Sequence, residues 1–445
     1  MQELMIISEQ NKTKIVQHQF SQSRKVQAFY RGAEHYFAHH PYRSIWLGIS
    51  KQALLHNIQV LRQVSAGKKC CAVLKGDAYG HSISIVAPLI ASYVDAIAIT
   101  ENSEAETVRN CLDGDFSRRD LLRLPLIRVR IADLREIKAA FIKGLEIEEP
   151  LGSLQHANGI AKLAQELRRE KPVQVQISLD AAQMGRDGFS LHPDHLQTTL
   201  NEIRIIAQNP LLQITGIYTH FPSADQSSFD ASIDALKRFV EQVKALKPVL
   251  PAGVDVHAFG SAATLRANEI PAELLETLTM NRFGAALYGH ESYKGQNLSQ
   301  LKNVLSAMTF VNDVFLRRQG DTVGYGSHYQ VLDAFEYHAH IPGGWNVFNR
   351  MLLQGQHQPH SIAPFRILNQ FGGQHDVLGN PSMNSVICKA LSSQSTHLLQ
   401  SQEPVFFLNE EQCINHLSRL LGTTPASISS QLGNPLYVAR FLIDE

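Results

Sequence analysis

Short apolar runs alternate with helix-like segments along the first 300 residues of the chain. The helix-like segments, such as Asn158–Arg168 and Ala231–Leu246, carry apolar residues at helical spacing. The series begins at Ile45–Ile49, after which Ser50 stands in a helix N-cap position. The other predicted strands are Cys71–Leu74, Ala96–Ile99, Leu126–Val129, Val173–Leu179, Leu212–Tyr218, Val254–Phe259 and Gly284–Leu287.

This alternation is typical of parallel strands connected by helices. It predicts an α/β fold in which the strands close into a (β/α)8 barrel, with functional residues on the loops that follow the strands. An open, doubly wound sheet is the alternative that the pattern alone leaves open.

The pattern changes near residue 300. Val304–Phe315 alternates between apolar and polar residues, and glycine-rich loops replace the helix-like segments, which predicts a mainly β domain. A short helix is expected at Glu410–Leu421, ending at Gly422. We therefore divide the chain into a polar N-terminal arm (1–43), a barrel (44–300) and a C-terminal β domain (301–445).

Composition restricts the possible partners. The 445 residues include 41 basic and 41 acidic side chains, so no net charge favours nucleic acid or an anionic membrane. No apolar stretch is long enough to span a bilayer, and the N-terminal residues lack the apolar centre of a secretory signal. The five cysteines show no metal-ligand spacing. We expect a cytoplasmic protein that acts on a small molecule and has no metal site.

The segment Val73–His81 carries the strongest chemical signal. Its apolar run ends on Lys75, and a glycine-punctuated turn containing Tyr79 follows. A desolvated lysine loses its proton readily and can then bond covalently to an aldehyde cofactor. The alternative reading is an ordinary surface lysine whose stem packs on apolar residues.

Other polar residues also stand at the ends of predicted strands. Singly, each is more simply explained as a helix cap, a core imidazole or a solvated arginine. Together they suit one phosphorylated ligand, because Ser261 and the backbone N–H of Gly284 can both face a phosphate. The strand-end residues are Lys75, Tyr79, Arg186, His220, Ser261 and Arg282.

These motifs, in this order, resemble those of the alanine racemase family, fold type III enzymes that use pyridoxal 5'-phosphate. The resemblance covers roughly residues 44–440 and implies a (β/α)8 barrel followed by a β domain. It implies that Lys75 and Tyr325 are the two catalytic bases, with Tyr325 contributed by the partner subunit of a homodimer that shares its active sites. It also implies a set of cofactor-binding residues: Lys75, Tyr79, His220, Ser261, Arg282, Gly284 and Ala285.

Within this family the chain is most similar to the broad-specificity amino-acid racemases. The loop Asp180–Gly188 and the segment Ser382–Asn384 resemble theirs, which implies that Arg186 and Met383 contact the substrate. Ser178 stands where many alanine racemases carry a modified lysine. Two further departures lie in the β domain, where Trp345 interrupts a usual Gly-Tyr-Ala-Asp-Gly segment and Ala426 replaces a tyrosine.

The residue types indicate a two-base racemisation between L- and D-amino acids, of alanine or of a broader set. A tyrosine base needs cationic neighbours at neutral pH, and we expect Arg282 linked to His220 to supply them. The departures in the β domain leave a non-catalytic or altered-specificity relative as an alternative. A decarboxylase of the same fold is disfavoured, because neither Cys388 nor Cys413 is followed by an acidic residue.

Overall fold

The structure is a computed structural model that describes residues 43–113, 124–221, 223–353, 365–432 and 438–443. The predicted N-terminal arm lies outside the described residues, apart from Arg43. The chain divides into two compact units, one of residues 53–302 and one that joins residues up to 52 to residues 303–445. No helix in the described ranges has the length and hydropathy needed to cross a bilayer.

Twenty strands are described. In chain order they are β1 Ile45–Ser50, β2 Lys69–Val73, β3 Ala96–Ile99, β4 Leu126–Arg128, β5 Glu149–Leu151, β6 Val173–Asp180, β7 Phe189–Ser190, β8 Leu212–Tyr218, β9 Asp255–His257, β10 Met280–Phe283, β11 Leu305–Phe310, β12 Asp313–Arg318, β13 Thr322–Val323, β14 Tyr329–Gln330, β15 Phe335–Pro342, β16 Arg366–Asn369, β17 Gln374–Leu378, β18 Ser385–Lys389, β19 Pro404–Leu408 and β20 Val438–Ile443.

Helices separate most strands of the first unit. The helical segments described are Lys51–Val64, Lys75–Tyr79, Ile83–Ile90, Asn102–Asp113, Leu134–Ile142, Leu154–Glu166, Pro193–Ala207, Asp230–Leu246, Ser261–Leu265, Ala272–Leu275, Arg350–Leu353, Ile414–Leu421 and Pro425–Ser429, with 3-10 turns at Ala91–Tyr93, Ala267–Glu269, Ala285–Tyr288, Leu298–Gln300 and Tyr325–Ser327.

Eight of the described strands form the barrel of the unit 53–302. Two parallel sheets, β10-β2-β3-β4 and β5-β6-β8-β9, are joined at both edges. Between β4 and β5, the Glu148 N–H donates to Leu126 O (2.8 Å). Between β9 and β10, the Thr279 N–H donates to Val256 O (2.9 Å). The ring is therefore closed, which confirms the predicted barrel and excludes the open sheet.

The prediction is wrong for two of the barrel strands. Ile45–Ile49 does form a strand, but β1 pairs with β11 and β20 in the other unit and is not a strand of the barrel. Gly284–Leu287 is not a strand: β10 ends at Phe283, and Gly284, with ψ of −88°, turns the chain into a 3-10 helix. The sequence pattern missed two barrel strands, β5 and β10, since no predicted strand overlaps Glu149–Leu151 or Met280–Phe283.

The other unit is built on a nine-stranded sheet in the order β12-β15-β18-β17-β16-β19-β11-β1-β20, with β13 and β14 paired as a separate ribbon. The β-rich C-terminal region is thus as predicted. The predicted helix at Glu410 begins later, at Ile414, because Asn409 Oδ1 accepts the N–H groups of Glu411 and Gln412 (both 2.9 Å) in a turn. The helix ends as expected at Gly422, whose φ is +62°.

Candidate active site

Lys75 stands at the end of β2, at the start of a left-handed turn. Gly76, Asp77, Ala78 and Tyr79 have φ values of +65°, +52°, +56° and +55°. Left-handed backbone costs about 1–2 kcal/mol per residue for side chains other than glycine. Such a turn persists only where surrounding contacts hold it.

Two carboxylates, the buried Glu104 and the exposed Asp77, supply those contacts. Glu104 Oε1 accepts the N–H of Gly76 at 2.6 Å, and its Oε2 accepts the N–H of Thr100 at 2.7 Å, so the turn is tied to the end of β3. Asp77 Oδ1 accepts the N–H of Ile83 at 2.8 Å, which links the turn to the next helix. The backbone that carries Lys75 is thereby fixed.

The surroundings of Lys75 favour its neutral form. Burial lowers the pKa of its ammonium group, and the cations Arg186 and Arg282 lower it further, whereas Glu104 opposes them. A lysine with a lowered pKa is a better nucleophile and a better proton acceptor at neutral pH. The geometry therefore supports the chemistry predicted for this residue.

Tyr79, Ser261 and Gly284 converge beside the lysine turn. Ser261 Oγ accepts the N–H groups of Gly284 and Ala286, both at 3.1 Å. A Cβ built on Gly284 would collide with the Tyr79 hydroxyl, so a larger residue there would displace that hydroxyl. Ala285 follows in the same 3-10 turn. Hydroxyls and N–H groups around a glycine make a cradle of the type that holds a phosphate.

Arg282 lies on β10 and is almost fully buried. Its Nη2 donates to Thr219 O (2.9 Å) and Ala258 O (3.3 Å), and its Nη1 donates to His257 Nδ1 and to His257 O (3.2 Å). Within the described part of the chain, Arg282 Nε has no hydrogen-bond partner. Its Nε–H is thus the donor left for a ligand, which suits a pyridine nitrogen.

The expected hydrogen bond between Arg282 and His220 is absent from the contacts described for these two residues. Arg282 is instead bonded to His257, because β9 adjoins β10 in the barrel and its last residue faces the guanidinium. The positive charge of Arg282 nevertheless acts on His220. Crowding by protein atoms, together with Arg282, Arg186 and Lys75, lowers the pKa of His220 to about 3, even though part of its ring remains open to solvent.

Arg186 stands on the loop that follows β6. Asp180 shapes this loop by accepting the N–H groups of Met184 (2.9 Å) and Gly185 (3.2 Å). The Arg186 side chain is half-exposed and its Nε lies 2.9 Å from Asp187 Oδ1. Its guanidinium is near enough to lower the pKa of Lys75. Ser178 lies beneath the loop and donates to Asp187 O at 3.2 Å.

Sequence reasoning missed three residues that lie behind Arg282. His257, Gln176 and Glu148 are buried and hydrogen-bonded to one another in series. No local signal identified them, because β6 alternates apolar and polar residues and Gln176 fits that alternation as well as the exposed Gln174 does. Once buried, a polar side chain requires a hydrogen-bonding partner.

Tyr325 belongs to the other compact unit and is displayed on a turn between β13 and β14. Its side chain is 72% exposed. Gly324 and Gly326 on either side have φ values of +74° and +79°, and the Asn380 amide donates to Tyr325 O at 2.8 Å. The turn thus presents an aromatic hydroxyl to the surroundings on a fixed backbone.

Met383 lies in the same unit on the loop before β18, and its side chain is also exposed. The segment that departs from the family pattern packs along this loop. The Trp345 N–H donates to Ser382 O (3.2 Å) and the Asn346 N–H donates to Met383 O (3.0 Å). A Cβ on Gly344 would lie 2.1 Å from Ser382 O, so this approach requires glycine. Ala426 lies in the short helix Pro425–Ser429.

Comparison with known proteins gives the family. Residues 49–292 match the family described as "Alanine racemase, N-terminal domain". The chain belongs to the alanine racemase family. This membership confirms the predicted fold, the enzyme class, an amino-acid racemase, and the cofactor, pyridoxal phosphate.

Several curated relatives are similar over much of their length. A broad-specificity amino-acid racemase of Pseudomonas taetrolens is 32% identical over 64% of this chain and 64% of its own length. A second, from Aeromonas hydrophila, is 30% identical over 77% of this chain and 76% of its own. A lysine racemase of Proteus mirabilis is 29% identical over 81% and 80%.

Solved structures share the fold at lower identity. The alanine racemase of Clostridium difficile 630 superposes with a TM-score of 0.76 at 20% identity, covering 90% of this chain and 97% of that one. The alanine racemase of Bartonella henselae, with covalently bound pyridoxal phosphate, gives 0.72 at 21% identity, covering 90% and 99%. These likenesses support the architecture of a barrel followed by a β domain.

Proposed function

We propose that this chain racemises amino acids with Lys75 as the residue that holds pyridoxal phosphate. The observation that carries the proposal is the convergence, at one end of the barrel, of a lysine with a lowered pKa, a hydroxyl and N–H cradle, and the Nε–H of a buried arginine. The cradle of Tyr79, Ser261, Gly284 and Ala285 would hold the phosphate, and Arg282 would face the pyridine nitrogen.

When bound, pyridoxal phosphate supplies an electron sink that acidifies the Cα–H of an attached amino acid. Lys75 Nζ can take that proton from one side or return it there. Tyr325 Oη is the proposed base for the opposite side, as inversion requires. Arg282 cannot give up its proton, so it would leave the pyridine nitrogen unprotonated and disfavour side reactions such as transamination.

We propose a homodimer in which Tyr325 and Met383 of each subunit serve the other subunit's lysine. The exposure of both side chains supports this, because a base or substrate contact on a protruding turn can reach a second chain. Arg186 is proposed to face the substrate carboxylate or the cofactor, since its charge already acts on Lys75 and His220.

We propose a substrate range that extends beyond alanine. The names of the relatives support it, since two are broad-specificity racemases and one is a lysine racemase. The non-catalytic alternative and the decarboxylase have less support, since these relatives are racemases. We also propose a cytoplasmic location, in line with five unpaired cysteine thiols; cell fractionation tests it.

The deciding experiment is a screen of purified holoenzyme against the L-amino acids, with D-isomer formation followed by chiral chromatography. We expect inversion of alanine and of at least one larger residue such as serine, lysine or arginine. Turnover of alanine alone, with kcat/KM for all others lower by more than about a thousandfold, would contradict the broad range, because apolar crowding discriminates by only about 1–3 kcal/mol. No inversion of any amino acid would contradict the racemase.

A further inference from the structure

A chain of buried polar side chains leads from Arg282 into the interior of the barrel. Arg282 Nη1 contacts His257 Nδ1, and His257 Nε2 lies 2.9 Å from Gln176 Oε1. Gln176 Nε2 lies 2.5 Å from Glu148 Oε2, which also accepts the Thr215 hydroxyl at 2.6 Å. The four residues come from or adjoin four different barrel strands: β10, β9, β6 and β5.

Each link in this chain has one permitted direction. A guanidinium has donors only, so His257 Nδ1 must accept from Arg282. A neutral imidazole with an accepting Nδ1 carries its proton on Nε2, and Nε2–H then donates to Gln176 Oε1. The Gln176 amide is oriented by the same bond, so its NH2 group donates to Glu148 Oε2. Glu148 accepts at that oxygen in either protonation state.

The neighbouring barrel strands leave room for the Gln176 side chain and hold the His257 ring in place. A Cβ on Gly216 of the adjacent β8 would collide with the Gln176 amide, so a larger residue there would displace the amide. The pairing of β6 with β8 shifts register between Val175 and Gln176. The Tyr218 ring stacks on His257 at 5.3 Å between centroids and 11° between planes, which holds the imidazole in its plane.

We propose that Gln176 and Glu148 are positioning residues that hold His257 in its Nε2–H form and thereby orient Arg282 with its Nε–H directed to the ligand. The proposal rests on the proposed role of Arg282. Without the acceptor on Gln176, the His257 proton can move to Nδ1, where it would point at the guanidinium. Arg282 would then lose one of its four anchoring contacts and the fixed direction of its remaining donor.

Titratable groups lie at both ends of this series of hydrogen bonds. At the inner end, Glu148 faces Lys69 and Asp255, and burial raises its pKa. At the outer end, Arg282 faces Tyr218, Cys71 and Arg186. Burial, together with the positive charge of Arg282, lowers the pKa of His257 well below the usual range. A neutral His257 is therefore the form that the surroundings select.

The test is the tautomer of His257 in the holoenzyme, read from 15N shifts of its two ring nitrogens in histidine-labelled protein. The signal is assigned by its loss in His257→Asn. We expect the wild type to show a protonated Nε2 and a bare Nδ1. Gln176→Met, which keeps the volume but removes the acceptor, should populate the Nδ1–H form. Gln174→Met, on the exposed face of the same strand, is the matched control and should read as the wild type.

Two further readouts separate positioning from general damage. We expect Gln176→Met to lower kcat by about tenfold to a hundredfold with KM little changed, and to shift the absorbance spectrum of the bound cofactor. If Gln176→Met does not fold, the pair Glu148→Leu and Glu148→Gln carries the test. Leucine frees the Gln176 amide to rotate and should change the His257 tautomer, whereas glutamine keeps an acceptor oxygen and should preserve it.

An unchanged His257 tautomer in Gln176→Met, or in Glu148→Leu where that variant replaces it, overturns the proposal. The same holds if the tautomer changes while kcat and the cofactor spectrum stay at wild-type values. The tautomer readout requires no turnover, so it distinguishes this proposal from the proposed function. A wild type that racemises nothing but shows the protonated Nε2 contradicts the function alone.

Discussion

The two compact units hold their predicted site residues in different ways. In the barrel, Lys75 and Arg282 are buried or half-buried and fixed by hydrogen bonds that reach several strands away. In the other unit, the side chains of Tyr325 and Met383 are exposed, and hydrogen bonds fix only the backbone of the turns that carry them. Rigid strands suit the part of a site that must keep one geometry and one protonation state. Exposed turns suit the part that meets a second chain or varies with the substrate.

Two of the three departures from the family pattern, Trp345 and Ala426, lie in the other unit. The third, Ser178, lies on β6 of the barrel, whose strand-end residues otherwise resemble the family motifs. The Gly344–Asn346 segment is bonded to the loop that carries Met383. We infer that the barrel fixes the cofactor-binding part of the site, whereas the displayed turns supply the proposed second base and influence the substrate range. The predictions below test this division.

The largest effect is expected from Lys75→Ala. The variant would lose both the proposed covalent attachment point and one of the two proposed bases, so we expect kcat for L-alanine racemisation to fall by more than about 10⁴-fold. Borohydride reduction of the wild type, followed by peptide mass mapping, should find the cofactor on Lys75. Lys69→Ala, at the other end of β2 where Lys69 pairs with Asp255 at 2.8 Å, is the control. A cofactor label on any other lysine would refute the assignment.

Tyr325→Phe should retain the cofactor spectrum and lose about 10²–10⁴-fold in kcat, the usual range for one general base. Mixing it with Lys75→Ala should restore activity to about one quarter of wild type, because half of randomly paired dimers would contain one intact site of two. Tyr337→Phe, another exposed tyrosine of the same unit, serves as the control. No recovery after subunit exchange has been verified by native mass spectrometry would rule out the shared site.

A third prediction concerns the pH dependence of barrel stability. His290 is buried. Its burial, and to a smaller extent the neighbouring His81, lowers its pKa well below 6.5. The unfolded chain binds this proton near pH 6.5, so the free energy of unfolding falls as pH decreases below that value. His290→Phe removes one such proton and should flatten the slope between pH 6 and 4 by up to about 1.4 kcal/mol per pH unit.

Urea unfolding at a series of pH values measures this slope. His192→Phe, at the exposed start of a helix, is the matched control for replacing a histidine by phenylalanine. Equal slopes for His290→Phe and the wild type would mean that this buried group does not hold a single protonation state, and the contrast between the units would weaken.

The smallest effect is expected at the displayed turns. If Trp345 and the Met383 loop set the substrate range, Trp345→Ala should change the ratio of kcat/KM for lysine to that for alanine by about tenfold, with kcat for alanine little altered. Phe371→Ala, which removes an exposed aromatic ring elsewhere in the unit, is the control. A similar loss for both substrates would assign Trp345 a structural role instead.

Much of the barrel could be predicted from sequence because its strands are short apolar runs between amphipathic helices. The prediction failed at Ile45–Ile49, since an apolar run indicates a strand but does not identify its partners; here they come from residues near both ends of the other unit. It also failed at Gly284–Leu287, where backbone N–H groups turn toward Ser261 instead of a neighbouring strand.

The site residues that could be predicted lie at strand ends, where motifs are contiguous. Lys75 and Ser261 are recognised with their immediate neighbours. His257, Gln176 and Glu148 were missed because their partners are distant in sequence: 81 residues separate Gln176 from His257, and 28 separate it from Glu148. Register across parallel strands, which brings such residues together, is not encoded in local spacing.

The left-handed turn after Lys75 has a consequence for how the chain can vary. At Ala78 glycine is favoured over every other residue, unlike in an ordinary helix. A φ of +56° penalises every side chain and most strongly the β-branched ones. Ala78 is also fully buried, so larger residues have no room. In a saturation library, glycine should survive selection there while valine, isoleucine and threonine disappear. Accessible evolutionary paths around the lysine are correspondingly few.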